Sequence, residues 1–325
     1  MFRVSRSSVS NLLLVMALCM GLLAATSLKV SAAPSAARQV LIEARDYSFT
    51  APASIGAGYT SFTMVNRGSE MHHAQIARLT NGKTIDDLTK ALSGGNPNAA
   101  FAILEFVGGP SIAMPGTRTP SVTLNLQAGS YVLMCFVESR DGKPHFAKGM
   151  LKPMQVVASG GSTSAPTAED TVVLKDFSFQ LPGTVKPGMH TWNIVNHGPQ
   201  VHEMTLVKLN PGKTLADALQ AGPSGPPAFR TMGGMQALNP GKSGWITANF
   251  QPGTYAVVCY VPDQRTGKPH AQLGMAAQFT VAGTGTSGSS PLPETGAGTQ
   301  APLMLFAAAL GLVGLGIALR RRRYS

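Results

Sequence analysis

The sequence predicts an all-β protein made of two tandem β-sandwiches of antiparallel, Greek-key type, with an apolar segment at each end. Three observations carry that prediction. Gly 36 and Pro 23 in 325 residues give turns at the density that short strands need. The middle of the chain is one unit written twice. Both copies lie between terminal segments that read as addresses, not as fold.

The repeat is visible in matched residues. Asp46-Tyr47-Ser48-Phe49 returns as Asp176-Phe177-Ser178-Phe179, Asn66-Arg67-Gly68 with His72 as Asn196-His197-Gly198 with His202, and Gly82-Lys83-Thr84 as Gly212-Lys213-Thr214. Further on, Gly129-Ser130-Tyr131 with Cys135 returns as Gly253-Thr254-Tyr255 with Cys259. Gly142-Lys143-Pro144-His145 with Gly149-Met150 returns as Gly267-Lys268-Pro269-His270 with Gly274-Met275. The stretches 159–168 and 283–291 are small, polar and turn-rich, which is linker composition. The expected domains are therefore 38–158 and 169–282, each near the common domain size.

Within a copy, apolar runs bounded by Gly and Pro predict strands at Ser61–Val65 and its counterpart Thr191–Val195, at Ser121–Leu126, at Tyr131–Val137 and at Met154–Val157. Ile85, Leu88 and Leu92 after Thr84, and Leu215, Ala218 and Leu219 after Thr214, have helical spacing and predict one short helix per copy.

The ends have a defined order. Arg3 and Arg6, the apolar stretch from Leu12 to Ala25, and small residues at Ser31, Ala32 and Ala33 fit a secretory signal over 1–36, the alternative being an uncleaved membrane helix. Cys19 falls inside it and would leave with it. At the other end come Leu292-Pro293-Glu294-Thr295-Gly296, an uncharged apolar run over 303–319, and Arg320-Arg321-Arg322-Arg323. The run is about the length that spans a bilayer, and the Arg cluster stays cytoplasmic. This order over 292–325 resembles a Gram-positive cell-wall sorting signal. The resemblance implies cleavage by sortase between Thr295 and Gly296 and attachment to the cell wall, the alternative being a plain single-pass anchor. Either way the middle of the chain is expected on the extracellular face of the envelope.

The net charge of +11 misleads until it is divided. Arg3, Arg6, Lys29 and the four C-terminal arginines lie at the ends. The other 19 of the 26 positive charges stand against all 15 acidic residues in between, a balance of +4. No basic patch follows from that, and nucleic acid is excluded as a partner.

The chemistry lies in a matched set. Each copy has one cysteine, Cys135 or Cys259, and an unpaired thiol outside the cell needs a reason. His145 and Met150 follow Cys135, His270 and Met275 follow Cys259, and His72 or His202 ends a Gly-containing turn upstream. One thiolate, two imidazoles and a weak axial thioether are the ligands of a blue-copper electron-transfer centre. The metal-site residues are thus His72, Cys135, His145 and Met150, and His202, Cys259, His270 and Met275. His190 and His197 have no counterpart in the first copy and read as surface groups.

Each copy resembles the cupredoxins, such as plastocyanin and pseudoazurin. Asn66-x-Gly68-x-x-x-His72 and Asn196-x-Gly198-x-x-x-His202 resemble the family's first-ligand turn. Gly129-x-Tyr131-x-x-x-Cys135 resembles its cysteine strand, and Pro144-His145-x-x-x-Gly149-Met150 and Pro269-His270-x-x-x-Gly274-Met275 its closing loop. The resemblance implies up to one copper per domain, with the exposed edge of the second His as electron port and redox proteins of the cell envelope as partners. Two departures stand out. Nine residues separate Cys135 from His145 and ten separate Cys259 from His270, long for plastocyanin-like proteins. His73 and Glu203 occupy the place after the first His, where the family often has Asn; with Asn66 and Asn196 they are candidates for bracing the ligands.

Enzymatic activity is not expected. The resemblance to two-domain copper enzymes implies extra histidines for further copper centres, one of them before the ligand Cys; here Met134 and Val258 stand there, His-x-His pairs are absent, and seven histidines fall short of the trinuclear cluster that resemblance would require. The expected function is one-electron transfer by an exported, surface-anchored copper protein. Copper sequestration or delivery, and a structural module that has lost its metal, are the alternatives.

Overall fold

Period-two burial sets the strands. In β1 (Arg38–Arg45), Val40, Ile42 and Ala44 are buried while Gln39, Leu41 and Arg45 are exposed. The structure, a computed structural model, describes residues 37–93, 97–158, 162–220 and 228–283. The expected signal over 1–36, the sortase pentapeptide 292–296, the apolar run 303–319 and the basic tail lie outside the described residues. Among the described residues no helix is long and apolar enough to cross a membrane.

The first copy continues through β2 (Ser48–Thr50), β3 (Ser54–Gly56), β4 (Gly58–Asn66), β5 (Gln75–Leu79), α1 (Ile85–Ser93), α2 (Pro97–Phe101), β6 (Leu104–Gly108), β7 (Ser121–Leu126), β8 (Gly129–Met134) and β9 (Leu151–Val157). The second has β10 (Asp170–Lys175), β11 (Ser178–Gln180), β12 (Gly188–Asn196), β13 (His202–Leu209), α3 (Leu215–Gln220), β14 (Phe229–Leu238), β15 (Ser243–Phe250), β16 (Gly253–Val258) and β17 (Ala276–Val281). The two expected helices are α1 and α3. Each starts on a threonine whose hydroxyl and N–H bond the aspartate three residues on, Thr84 to Asp87 and Thr214 to Asp217, with the hydroxyl accepting the aspartate's N–H. Such a cap is worth about 1 kcal/mol.

The strands form two sheets over one core. One runs β11-β10-β12-β15-β7-β4-β1-β2 and the other β17-β16-β13-β14-β6-β5-β8-β9-β3. Ile42, Phe62 and Met64 from the first meet Ile76, Leu133 and Val156 from the second in a single buried cluster that also takes in Trp192, Leu206 and Val257 of the second copy.

Two features differ from the sequence expectation. The sandwich is not antiparallel throughout: β1 runs parallel to β4, β10 to β12, and β3 to β9. The chain leaves β2, crosses to the opposite sheet at β3 and returns as β4 beside β1, and no hairpin forces the direction to reverse. The two copies are also joined by paired strands, not by the 159–168 stretch alone. Thr123, Val122 and Ser121 of β7 lie opposite Trp245, Ile246 and Thr247 of β15, and Val107 of β6 lies opposite Leu238 of β14. Within that stretch Ser162 is buried, and its carbonyl accepts the N–H of Tyr59.

Candidate metal centres

The turn that presents the first His is built by an asparagine. Asn66 ends β4 fully buried; its side-chain amide donates to the carbonyls of Glu70 (2.7 Å) and Ala113 (2.9 Å), and its oxygen accepts the N–H of Gly68 (2.8 Å). Asn196 does the same with Gln200, Leu238 and Gly198, at 2.8, 2.8 and 2.9 Å. Gly68 and Gly198 are needed because a Cβ there would lie 2.7 Å and 2.6 Å from Nε2 of His72 and His202. The spacing Asn-x-Gly-x-x-x-His is thus a set of bonds and a close approach that hold the imidazole in place.

The cysteine comes one residue after β8 or β16, not inside the strand as the apolar run predicts. Tyr131 fixes the start of that strand: its hydroxyl donates to the Gln127 carbonyl at 2.9 Å, as Tyr255 does to Gln251. The closing loop then folds back. His145 N–H donates to Val137 and Met150 N–H to His145, while Cys135 N–H donates to Met150. His270, Val261, Met275 and Cys259 repeat the pattern. Gly149 and Gly274 end the intervening turns at φ 101° and 107°, a left-handed conformation that glycine takes without strain. The extra residues after each cysteine make a turn of their own, closed by Ser139 N–H to Lys143 and by Asp263 N–H to Lys268. The long loops still return His145 and His270 to 3.5 Å from the cysteine sulfurs.

The structure brings His72, Cys135 and His145 together, and likewise His202, Cys259 and His270. All six are 0 % exposed, as are Met150 and Met275, and both cysteines are free thiols. In the first group the two Nδ1 atoms are 3.0 Å apart, and Cys135 Sγ is 3.5 Å from Nδ1 of His145 and 4.0 Å from Nδ1 of His72. The circle through three atoms so placed has a radius of about 2.1 Å, the length of metal bonds to imidazole and thiolate, about 2.0–2.3 Å. In the second group the matching Nδ1 separation is 3.0 Å, Sγ lies 3.5 Å from Nδ1 of His270, and all ligand atoms lie within 4.8 Å of one another.

The far sides of the rings explain their aim. His72 Nε2 donates to Asp46 Oδ1 (3.0 Å), His145 Nε2 to Glu70 Oε2 (2.7 Å) and His202 Nε2 to Asp176 Oδ1 (2.7 Å). A carboxylate at Nε2 holds the proton there and leaves Nδ1 as a bare lone pair. Two such lone pairs facing each other at 3.0 Å repel, and a cation between them removes the repulsion. Burial, the largest influence, pulls His72, His145 and His202 below the ordinary imidazole value and His270 to about 4, so all four rings are neutral. Burial likewise pushes the Cys135 thiol up to about 12 and raises that of Cys259, so a bound metal ion must displace each proton. Burial raises Asp46, but bonds from the Ser69 hydroxyl and the Ser69 and Glu70 N–H groups outweigh it and keep it ionised.

The copies differ at the second His. Glu70 also accepts from the Tyr47 hydroxyl (3.3 Å), and the Tyr47 ring stands edge-on to His145 at 5.2 Å. In the second copy the glutamate is Gln200, which turns away to Asp176 and Asp263, and Phe177 replaces Tyr47, 5.1 Å from His270. His270 Nε2 is buried with no hydrogen-bond partner among the described residues. Neither second His has the exposed edge expected of an electron port; the aromatic rings and Glu70 cover them.

His73 and Glu203 sit in equivalent places. The N–H of Phe136, next to Cys135, donates to His73 Nε2 (2.7 Å), and that of Tyr260, next to Cys259, donates to Glu203 Oε1 (3.0 Å). Each ties the first-His segment to the cysteine segment. Burial lowers His73 to about 3 and raises Glu203 to about 7. Asp46, Glu70, Tyr47 and their partners were missed as site residues, although the repeated Asp46-Tyr47-Ser48-Phe49 pattern carried the signal. Of the two histidines read as surface groups, His197 is exposed and His190 half-buried.

No family model matches the chain, and no curated protein matches it. Among solved structures it is similar to a dithionite-reduced auracyanin of Roseiflexus castenholzii at 18 % identity and a TM-score of 0.26, over 38 % of this chain and 99 % of that one. It is also similar to a multicopper oxidase, at 16 % identity and a TM-score of 0.23 over 75 % and 89 % of the two chains. A copper-containing nitrite reductase of Thermus scotoductus gives 14 % identity and a TM-score of 0.23, over 84 % and 67 %. The oxidase and the reductase are enzymes, and with them among the similar structures the exclusion of enzymatic activity argued from the histidine count is withdrawn.

Proposed function

We propose that the chain is an exported, surface-anchored copper protein that carries single electrons, with one type-1 copper centre in each of the domains 38–158 and 169–282. The observation that carries this reading is the convergence, in each copy, of two imidazole nitrogens and one cysteine sulfur within 4.8 Å of one another, which in the first copy lie on a circle of about bonding radius. Copper bound there supplies reversible one-electron chemistry between its cupric and cuprous states. Cys135 and Cys259 would hold the ion as thiolates, His72, His145, His202 and His270 as neutral imidazoles, and Met150 and Met275 would offer thioether sulfurs. Asp46, Glu70 and Asp176 hold ring orientation and proton position. Full burial of every ligand excludes water, and the bonded loops let the ligands change little when the charge does.

The envelope location rests on the signal-like 1–36 and on the pentapeptide, apolar run and Arg cluster over 292–325. Sortase and the cell wall, the membrane through 303–319 and envelope redox proteins are the proposed partners. Storage or delivery of copper is a second reading, favoured by the covered second histidines.

Titrating the purified full-length protein with cupric ion tests the reading. An intense thiolate-to-copper band near about 600 nm, bleached by a reductant and restored by an oxidant, is the expected outcome. Tight uptake without the band favours storage, and no uptake overturns every copper reading.

A further inference from the structure

The segments that carry the first histidines of the two copies are themselves the seam between the copies. Gln75, three residues after His72 and 1 % exposed, sends its side-chain amide to the carbonyl of Gly108 in its own copy and to that of Ala237 in the other, at 3.1 and 3.0 Å. Ala237 precedes Leu238, the strand partner of His202. The reverse connection is nearly the mirror of this one. Thr205, three residues after His202, meets the hydroxyl of Ser111 in the first copy at 3.4 Å. Two residues beyond Ser111 is Ala113, which exchanges both backbone hydrogen bonds with His72, at 3.1 and 2.8 Å. Gln236 closes the seam: its N–H donates to Gly109 and its side chain to Ser111. Two routes of backbone and hydrogen bonds thus run from His72 to His202, one crossing between the copies at the Gln75 amide and one at the longer Thr205–Ser111 contact, beside the backbone bonds from Gln236 to Gly109 and from Ser111 to Gly234.

We propose that the two halves exchange electrons inside one molecule through this seam. The proposal rests on the copper reading above. One electron leaves the cuprous ion of one half, which becomes cupric, and reduces the cupric ion of the other; no proton moves and no outside oxidant or reductant takes part. Gln75 with Ala237, and Thr205 with Ser111, supply the bridging contacts. Protein-filled, hydrogen-bonded paths serve this purpose where a solvent gap does not, and these four residues are all buried.

The test uses full-length, copper-loaded protein carrying Met275→Gln, because a changed axial ligand moves the band and the potential of the second centre and so marks it. A radiolytic pulse delivers less than one electron per molecule. The expected result is that one band recovers while the other bleaches, with a first-order rate unchanged by tenfold dilution of the protein. Gln75→Leu in the same background slows that rate several-fold while both bands and both potentials stay put; Thr205→Val does the same through the second route. A redistribution rate proportional to protein concentration, or none at all with both bands present, overturns the proposal. Failure of either band to form speaks instead against the copper reading.

Discussion

At the scale of single residues, the sharpest contrast is Glu70 against Gln200. Both occupy the same place two residues before the first His, yet Glu70 binds the second His of its copy and Gln200 does not. A carboxylate against a ligand imidazole favours the higher charge on the metal. Glu70→Gln is therefore expected to raise the potential of the first centre, by about 60 mV for each tenfold change in the ratio of cupric to cuprous affinity. Gln200→Glu is expected to lower that of the second, and spectroelectrochemistry on single-site variants reads both. An unmoved first-centre potential in Glu70→Gln would show that the contact tunes nothing. Much of this was legible in outline. The histidines and cysteines that converge stood in the sequence at matched spacings, as did the asparagines whose three bonds shape the first-His turns. The carboxylates behind the imidazoles did not stand out, because Asp46 approaches from a different strand region and lone acidic residues on a surface are ordinary.

At the scale of elements, the closing loop and the ligand turn depend on backbone fit. Gly234 has φ 131°, and a Cβ on it would lie 2.1 Å from the Met204 carbonyl oxygen; Gly109, its counterpart, meets Ala74 in the same way. Gly234→Ala is expected to cost about 2 kcal/mol or more, from backbone strain and the displaced ladder between β13 and β14. Thermal unfolding measures it, and a melting temperature equal to that of the parent would refute the packing argument. Helix α1 and strand β7 were legible, since helical spacing after Thr84 and an apolar run bounded by Gly and Pro are local signals. The parallel pairing of β1 with β4 was not, because it depends on β3 joining the opposite sheet, and three residues of Ser54–Gly56 announce no such crossing.

At the scale of the molecule, the copies share both sheets. The β7–β15 and β6–β14 pairings remove edge strands that each copy alone would expose. The described chain is expected to unfold in one cooperative step, with calorimetric and van't Hoff enthalpies in agreement. Two resolved transitions would mean that the seam contributes little. The repeat was plain in the sequence; its side-by-side pairing was hidden, because the joining residues, Thr123, Trp245, Gln75 and Ser111, read as ordinary strand and turn positions. Two separate beads on a linker and one continuous sandwich have the same repeat pattern.

In the proposed function each half gathers its own cysteine, two histidines and methionine on one copper ion. Copper content combined with X-ray absorption at the copper edge tests it most directly on full-length protein, Cys135→Ser, Cys259→Ser and the double variant. The expected result is two ions, one, one and none, each bound ion showing two nitrogen neighbours and one short sulfur neighbour at about 2.0–2.3 Å. Copper that stays bound in the double variant, or a spectrum without the short sulfur, contradicts it.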